Sequence, residues 1–476
     1  MATSSLRRNF IYNSMYQVLA LILPLITTPY LSRILGADGI GEYGYYFSIA
    51  KYFVLFAMLG LNNYGNRTIA AVREDQEKLS KTFSSIYVMQ LLFSVAALLL
   101  YIMYACLFNQ SKMAIALILY VISAGLDINW FFFGLEQFKL TVARNTLIKL
   151  LSVACIFAFV KDQKDVYVYG LIMGASFLLS QIAVWPFVKK YTHFVKPTIS
   201  EILNHIKPNL ILFLPVIAVS LYKSMDKIML GRMTDLKEVG FYQNSEKIID
   251  IPESLIMALG TVMLPRMSNL VAKKDEKTGD KYIYLSILFA AFLSSSIGFG
   301  IAGVSPEFVP WYFGKGFEPC ISIFAVLAPS TVFIALANVI RTQFLIPQHR
   351  DKIYVISVFL GAVVNILMNI LLIPYLRATG AAIGTLTAEG VVCIYQFCMV
   401  CKEKDYLKPV IRAIPFLLSG IGMFVILKSF SLQFSSELVC IIVKALIGAA
   451  IYLAISAVIY AIRRWIFKKS SILAYD

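Results

Sequence analysis

The chain has 476 residues, 59% of them hydrophobic and only 15% charged, with a mean hydropathy of +0.75. Soluble globular chains carry roughly 25% charged residues and about 45–50% apolar ones. A water-facing surface of this size is therefore excluded, and with it a soluble enzyme, a disordered scaffold or a fibrous repeat. The excess of 43 Lys and Arg over 27 Asp and Glu gives a net charge of +16. In a membrane chain this reads as basic residues gathered in cytoplasmic loops against anionic lipid, and no nucleic-acid partner is expected.

A bilayer core about 30 Å thick takes about 20 apolar residues per helix. That length predicts fourteen transmembrane spans, at about 10–31, 40–62, 83–105, 113–134, 142–160, 166–187, 209–231, 240–264, 283–304, 319–345, 353–374, 380–400, 410–428 and 436–462. The expected fold class is an all-α polytopic membrane protein. Arg7-Arg8 precede the first span, but no small-residue cleavage site follows it, so a retained helix is expected in place of a signal peptide. Connections are short except for two basic loops, 188–208 and 265–282. Outside the spans, 26 Lys and Arg fall on the side of the N-terminus and 9 on the other. The positive-inside rule then places both termini in the cytoplasm. The seven cysteines are scattered, and Cys398-x-x-Cys401 sits at a helix end with no second pair, so no metal or redox site is expected.

The chain also repeats itself. Leu35-Gly36, Gly41-Glu42-Tyr43, Leu59-Gly60 and Arg67 recur as Leu230-Gly231, Gly240-Phe241-Tyr242, Leu259-Gly260 and Arg266. Six spans per repeat insert both halves the same way up, so the axis relating them runs along the membrane normal and a substrate site is expected between two lobes. The expected organisation is an N-lobe at 1–187, a cytoplasmic linker at 188–208, a C-lobe at 209–400, and spans thirteen and fourteen with a tail at 401–476.

No paired-carboxylate, phosphate-cradling or nucleophile–base constellation appears, and His193, His205 and His349 fall in predicted loops. Catalysis is not expected, nor is a metal or cofactor. The informative residues are ionisable groups inside spans: Lys51, Lys149, Lys223, Lys227, Lys247, Arg341, Arg412 and Lys444, with Glu42, Asp127, Asp226, Glu246, Asp250, Glu253 and Glu389. A charge facing lipid near mid-bilayer costs roughly 2.5–3.5 kcal/mol even on the lenient insertion scale, so these groups snorkel, pair or line a cavity. Snorkelling accounts for Arg412, Arg341, Glu42 and Lys227, near span ends. Local pairing accounts for Lys223 with Asp226 and Lys247 with Asp250, at the i,i+3 spacing of one helix face. Lys51 sits about 16 Å deep, with no acid among Phe47, Ser48, Val54 and Leu55. It faces an aqueous cavity or pairs with an acid on another helix. Polar stripes agree with a cavity: Asn13, Gln17 and Thr28 on span one; Gly44, Ser48, Lys51 and Asn62 on span two; Gln243, Lys247, Asp250 and Ser254 on span eight.

At these residues a resemblance enters. Thr28-Pro29-Tyr30-Leu31-Ser32-Arg33-Ile34-Leu35-Gly36 with Gly39-Ile40-Gly41-Glu42-Tyr43 resembles the opening of the bacterial polysaccharide-repeat-unit flippases, the Wzx-type O-antigen transporters. The stretches 226–231 with 239–242, 127–136 to Arg144-Asn145, and 365–374 with 380–384 agree, so the likeness runs along almost the whole chain. It implies two six-helix lobes around a central cavity, a fold shared with multidrug-and-toxin extruders and lipid II flippases. It also implies an undecaprenyl-diphosphate-linked oligosaccharide as substrate, turned from the cytoplasmic to the outer leaflet of the inner membrane. Membrane lipid, a polysaccharide polymerase and a chain-length regulator are its implied partners. On this reading Lys51, Lys223, Lys227, Lys247, Gln17 and Asn62 serve the diphosphate and sugars. Coupling to a proton or sodium gradient falls on Asp250, Asp127, Asp226 or Glu389. Intramembrane charge is nearly balanced, which keeps open a multidrug-type organic-cation antiporter, and lipid II is a further alternative substrate.

Overall fold

The computed structural model describes residues 2–430, 434 and 436–472, without the side chains of 2–21, 108–109, 138–139, 222 and 463–472. Contacts divide the chain into two compact units, residues 1–240 and 241–476. The first unit holds α1 (Ala2–Met58), α2 (Leu61–Val72), α3 (Gln76–Met103), α4 (Lys112–Ala116), α5 (Ile118–Leu126), α6 (Asn129–Gly134), α7 (Phe138–Phe159), α8 (Val166–Ile182), α9 (Trp185–Val188) and α10 (Ile199–Met233). Helix α11 (Leu236–Ala272) begins at the end of this unit and runs into the second. There follow α12 (Glu276–Tyr312), α13 (Pro319–Leu327), α14 (Ser330–Ile340), α15 (Asp351–Val400), α16 (Leu407–Ser429) and α17 (Glu437–Ile472).

Among the described residues, twelve helical stretches are long and apolar enough to cross a membrane. Two of them, Ile22–Val72 and Asp351–Val400, contain kinks, at Gly36 (φ 66°, ψ −178°) and Arg377 (φ 50°, ψ −130°). The stretch Asp351–Val400 holds the predicted spans 353–374 and 380–400, and Ile22–Val72 holds the predicted span 40–62 with the last part of 10–31, so the count of fourteen is approximate. At Gly36 the left-handed φ is one that glycine adopts without a Cβ clash.

Three local features depart from the expected pattern. Span four is broken into α4, α5 and α6: the first break falls at Leu117 (φ −80°, ψ −1°), and the second where Asp127 (φ −77°, ψ 99°) and Ile128 leave the helical region. The basic loop at 265–282 is almost all helix: α11 runs to Ala272, and Asp275 caps α12 by accepting from the Thr278 amide. The cap on α3 is its repeat counterpart, Asp75 accepting from the Lys78 amide. Finally, the second half of the 188–208 linker is the start of α10, fixed by a capping box of Thr198 and Glu201. The rest is strapped to α3. Gln76 Nε2 donates to the Tyr191 carbonyl, Thr192 Oγ1 to Ser80 Oγ, and the Val195 amide to Ser84 Oγ.

Lipid tails are as apolar as leucine, so helices in a bilayer associate through close packing and polar contacts rather than through a hydrophobic drive. Glycines supply the close packing here. A Cβ at Gly65 of α2 would lie 2.6 Å from the Trp130 ring, and one at Gly134 of α6 would lie 2.7 Å from Ile69, so α2 and α6 are fitted to each other from both sides. Trp130, Phe131 and Phe132 are fully buried there with Phe83, Ile86 and Met89. In the second unit the core gathers Ile287, Phe299, Ile340, Phe344, Leu427 and Tyr452 from α12, α14, the turn after it, α16 and α17.

Candidate functional site

Lys51 lies on the second half of α1 and its side chain is exposed. The next residue, Tyr52, donates its hydroxyl to the Ser220 carbonyl of α10 at 3.0 Å. Phe56 packs on Phe213, and Gly60 lets the backbone of Asn209 and Leu212 come within 3 Å of where a Cβ would sit. Helix α10 therefore runs along this half of α1. That packing brings Lys51 and Lys223 to one level on neighbouring helices, both exposed, with Lys227 half-buried one turn on and Asp226 buried at 1% exposure. Lys51, Lys223, Asp226 and Lys227 each engage an interaction partner. Asn62, at the start of α2, is exposed; the Gln17 side chain lies outside the described residues.

Asp127, a coupling candidate from the sequence, is built into a half-buried network. Its Oδ1 accepts from the Asn129 amide at 3.0 Å and from Asn129 Nδ2 at 2.7 Å, which caps α6 after the break. Asn129 Oδ1 in turn accepts from Arg144 Nη2 at 2.9 Å, and Arg144 also donates to Asn145, which accepts from Ser180 Oγ. On the other side, Gln90 Nε2 donates to the Ala124 and Asp127 carbonyls while its Oε1 accepts from Trp130 Nε1. The Ala124 and Asp127 carbonyls, and that of Leu126 through Trp185 Nε1, are thus each offered a donor, as irregular backbone inside a bilayer requires. Asp127 fixes the break and orients Asn129 toward Arg144.

In the second unit, Lys247 is half-buried and Asp250 exposed on α11, Glu389 is buried on α15, and all three engage partners. Ser254 donates back to the Asp250 carbonyl of its own helix. Gln243 of the predicted stripe is buried. Tyr242 meets Thr385 of α15 at 2.8 Å, and Asn369 Nδ2 donates to Asn365 Oδ1 beside Gly384. Lys444 of α17, which sequence reading left unassigned, is paired with Glu307 of α12 at 2.6 Å, with side-chain exposures of 2% and 18%. This pair docks span fourteen on span nine. Among the described residues no group of three or more His, Cys, Asp or Glu is placed to hold a metal ion.

The repeat has a physical counterpart at the end of the first unit. A Cβ at Gly41 would strike the Leu236 carbonyl oxygen and lie 2.8 Å from the Gly240 amide nitrogen. A Cβ at Gly240 would strike the Ala37 carbonyl oxygen, with the Ala37 carbon at 2.8 Å. The two glycines are repeat partners. Helices α1 and α11 thus cross backbone to backbone, each glycine receiving the other segment. The signal was present in the sequence as two aligned glycines, but nothing there said that they meet.

Outside the spans, ion pairs tie the short connections of the second unit. Arg350 pairs with Glu403, which holds the Glu403 carboxyl below its ordinary value. Lys404 bridges Glu276 at 2.8 Å and Asp280 at 3.0 Å, and both acids push its pKa up.

Paired and capped ionisable groups inside membrane-length helices, a broken span and an internal repeat are features of secondary transporters. The chain belongs to the family described as polysaccharide biosynthesis protein, which matches residues 6–271, and the lipid II flippase MurJ family matches residues 149–468. It is similar to a candidate O-antigen transporter of Escherichia coli (strain K12), 24% identical over 84% of this chain and 98% of that protein. Its fold is similar to that of lipid II flippase MurJ in an inward closed conformation, with a TM-score of 0.76 at 16% identity over 95% of this chain and 99% of that one. A multidrug resistance MATE family transporter in its inward-facing conformation has a TM-score of 0.59 at 15% identity, over 87% of this chain and all of that one. The resemblance drawn from the sequence is borne out. The chain is a multi-pass membrane protein with the helical fold of this transporter superfamily.

Proposed function

We propose that this protein is a flippase that turns an undecaprenyl-diphosphate-linked oligosaccharide from the cytoplasmic to the outer leaflet of the bacterial inner membrane by alternating access. The observation that carries the reading is the pair of exposed lysines, Lys51 and Lys223, set at one depth by the Tyr52–Ser220 hydrogen bond. A diphosphate entering a low-dielectric site needs cations already in place, and a lysine exposed at mid-helix is too costly to leave in lipid. The organic-cation antiporter reading is weaker at this point, because the groups presented on α1 and α10 are basic while Asp226 is buried. Membership in this family supports transport rather than catalysis.

Within this proposal, 1–187 and 209–400 act as the two lobes, with Lys247, Lys227, Gln17 and Asn62 completing the substrate site. Coupling to a proton or sodium gradient falls on Asp250, Asp226 or Glu389. Asp127 is the less suitable of the four, since both Asn129 donors hold it as a cap. Both termini are cytoplasmic, and a polysaccharide polymerase and chain-length regulator act on the delivered units. The test is a proteoliposome assay with fluorescent undecaprenyl-diphosphate-linked oligosaccharide. The parent protein exposes it to an outside quencher, Lys51→Ala and Lys223→Ala slow this strongly, and a parent with no activity overturns the reading. Single cysteines at Lys237 and Lys315 label from outside and at Lys274 and Lys404 do not; the reverse pattern overturns the orientation.

A further inference from the structure

Arg341 lies on span ten, four residues before the end of the membrane-length helix Pro319–Leu345, about 6 Å from that end at the α-helical rise. From its place near a span end, snorkelling alone would account for it. Its surroundings are more organised than that. Residues Arg341–Leu345 form a π-helical turn, a local widening that is rare and concentrates at functional sites. Arg341 Nη2 donates to Asn338 Oδ1 at 2.8 Å, and Asn338 is itself buried and donates to the Ile256 carbonyl of α11. The guanidinium stands over the Tyr354 ring at 5.4 Å and has Met257 Sδ at 3.7 Å. Gly260 makes room for this arrangement, because a Cβ there would fall within about 3 Å of both Asn338 side-chain atoms.

Among the described residues none of the ion pairs includes Arg341, whereas Lys444 of the same unit is matched by Glu307. One guanidinium edge is fixed by a neutral amide and one face by an aromatic ring, the side chain is half-exposed, and the remaining N–H donors have no anion. Such a fork fits two oxygens of a phosphate, a geometry that lysine does not reproduce. The following connection carries Arg350 and Lys352, which the positive-inside count places in the cytoplasm. Its depth is therefore that of a phosphate group in the cytoplasmic leaflet, where the substrate starts.

We propose that Arg341, positioned by Asn338 and Tyr354, is a loading site that takes the diphosphate of the lipid-linked substrate from the cytoplasmic leaflet. This rests on the flippase reading and adds to it a cation and a leaflet. Purified protein in neutral phosphatidylcholine nanodiscs, titrated with undecaprenyl diphosphate, tests it. The parent binds; Arg341→Gln binds roughly tenfold more weakly, the scale of a lost charge-assisted pair. Arg341→Lys recovers only part, and Asn338→Ala also weakens binding with the arginine still present. Arg412→Gln, which removes an arginine resting on Tyr284 elsewhere in this unit, binds as the parent does. Thermal melting confirms that each variant is folded, and Arg341→Lys serves if Arg341→Gln is not. Equal binding by the parent and both Arg341 variants overturns the inference alone. So does full competition by phosphatidylglycerol at equal mole fraction, which makes the site a general anionic-lipid contact. A parent that binds no undecaprenyl diphosphate overturns the flippase reading and this inference with it.

Discussion

Adding one methyl group at the crossing of α1 and α11 disfavours the conformation described here. In Gly41→Ala the new Cβ falls on the Leu236 carbonyl oxygen and the Gly240 amide; in Gly240→Ala it falls on the Ala37 carbonyl. The clash is with backbone, which cannot rotate away as a side-chain end can, so the helices must separate. Overpacking of this kind costs typically 1–3 kcal/mol. At about 2 kcal/mol, and with 1.36 kcal/mol to each factor of ten, the population of this conformer relative to one with the helices parted falls about 30-fold. Ala37 is buried at 6% exposure, so the opening is readable as thiol chemistry. An Ala37→Cys protein labels slowly with a membrane-impermeant maleimide, and adding Gly240→Ala speeds labelling by about the same factor. Flipping slows, because a transport cycle that passes through this conformer is delayed as its population falls. Labelling and transport at the parent's rates in both alanine variants would refute the reasoning.

Four other outcomes follow from particular groups. Lys51→Ala abolishes surface glycan with the protein still in the membrane, while Lys51→Arg keeps part of the activity by keeping the charge; normal glycan with Ala would show a structural role. Lys444→Met leaves Glu307 buried without its partner and costs about 3–5 kcal/mol, whereas Lys444→Met with Glu307→Leu recovers most of that; melting in nanodiscs separates the two, and equal loss in both would show that the pair is not the cause. Glu403, held down by Arg350, stabilises above its ordinary value of 4.5 and loses that contribution as pH falls through the lower folded value. The melting difference between parent and Glu403→Gln is therefore largest above about pH 5 and shrinks below 4.5, and a difference that grows on acidification would contradict the pair. Asp250→Asn loses gradient dependence in proteoliposomes but still binds substrate; an unchanged gradient response moves the coupling to Asp226 or Glu389.

The sequence alone determined the membrane class, the span positions and the family. These rest on properties that are local in the chain. A dozen apolar runs each about 20 residues long fit a bilayer by length and composition alone, and the motifs from Thr28 to Tyr43 and from Asp226 to Tyr242 are read without knowing what they touch. Capping residues such as Asp75, Asp275 and Thr198 with Glu201 likewise act within a few residues of themselves. Only the tertiary structure decided which ionisable groups are held and by what. Lys444 and Glu307 are 137 residues apart, and Asp127 reaches Arg144 only through Asn129 across a break in its helix. Periodicity places a side chain on a face of its helix, but it cannot say which helix lies opposite. That pairing follows from where close backbone approach is sterically open, as at Gly41, Gly60 and Gly240, and steric room between distant segments is a property of the packed molecule.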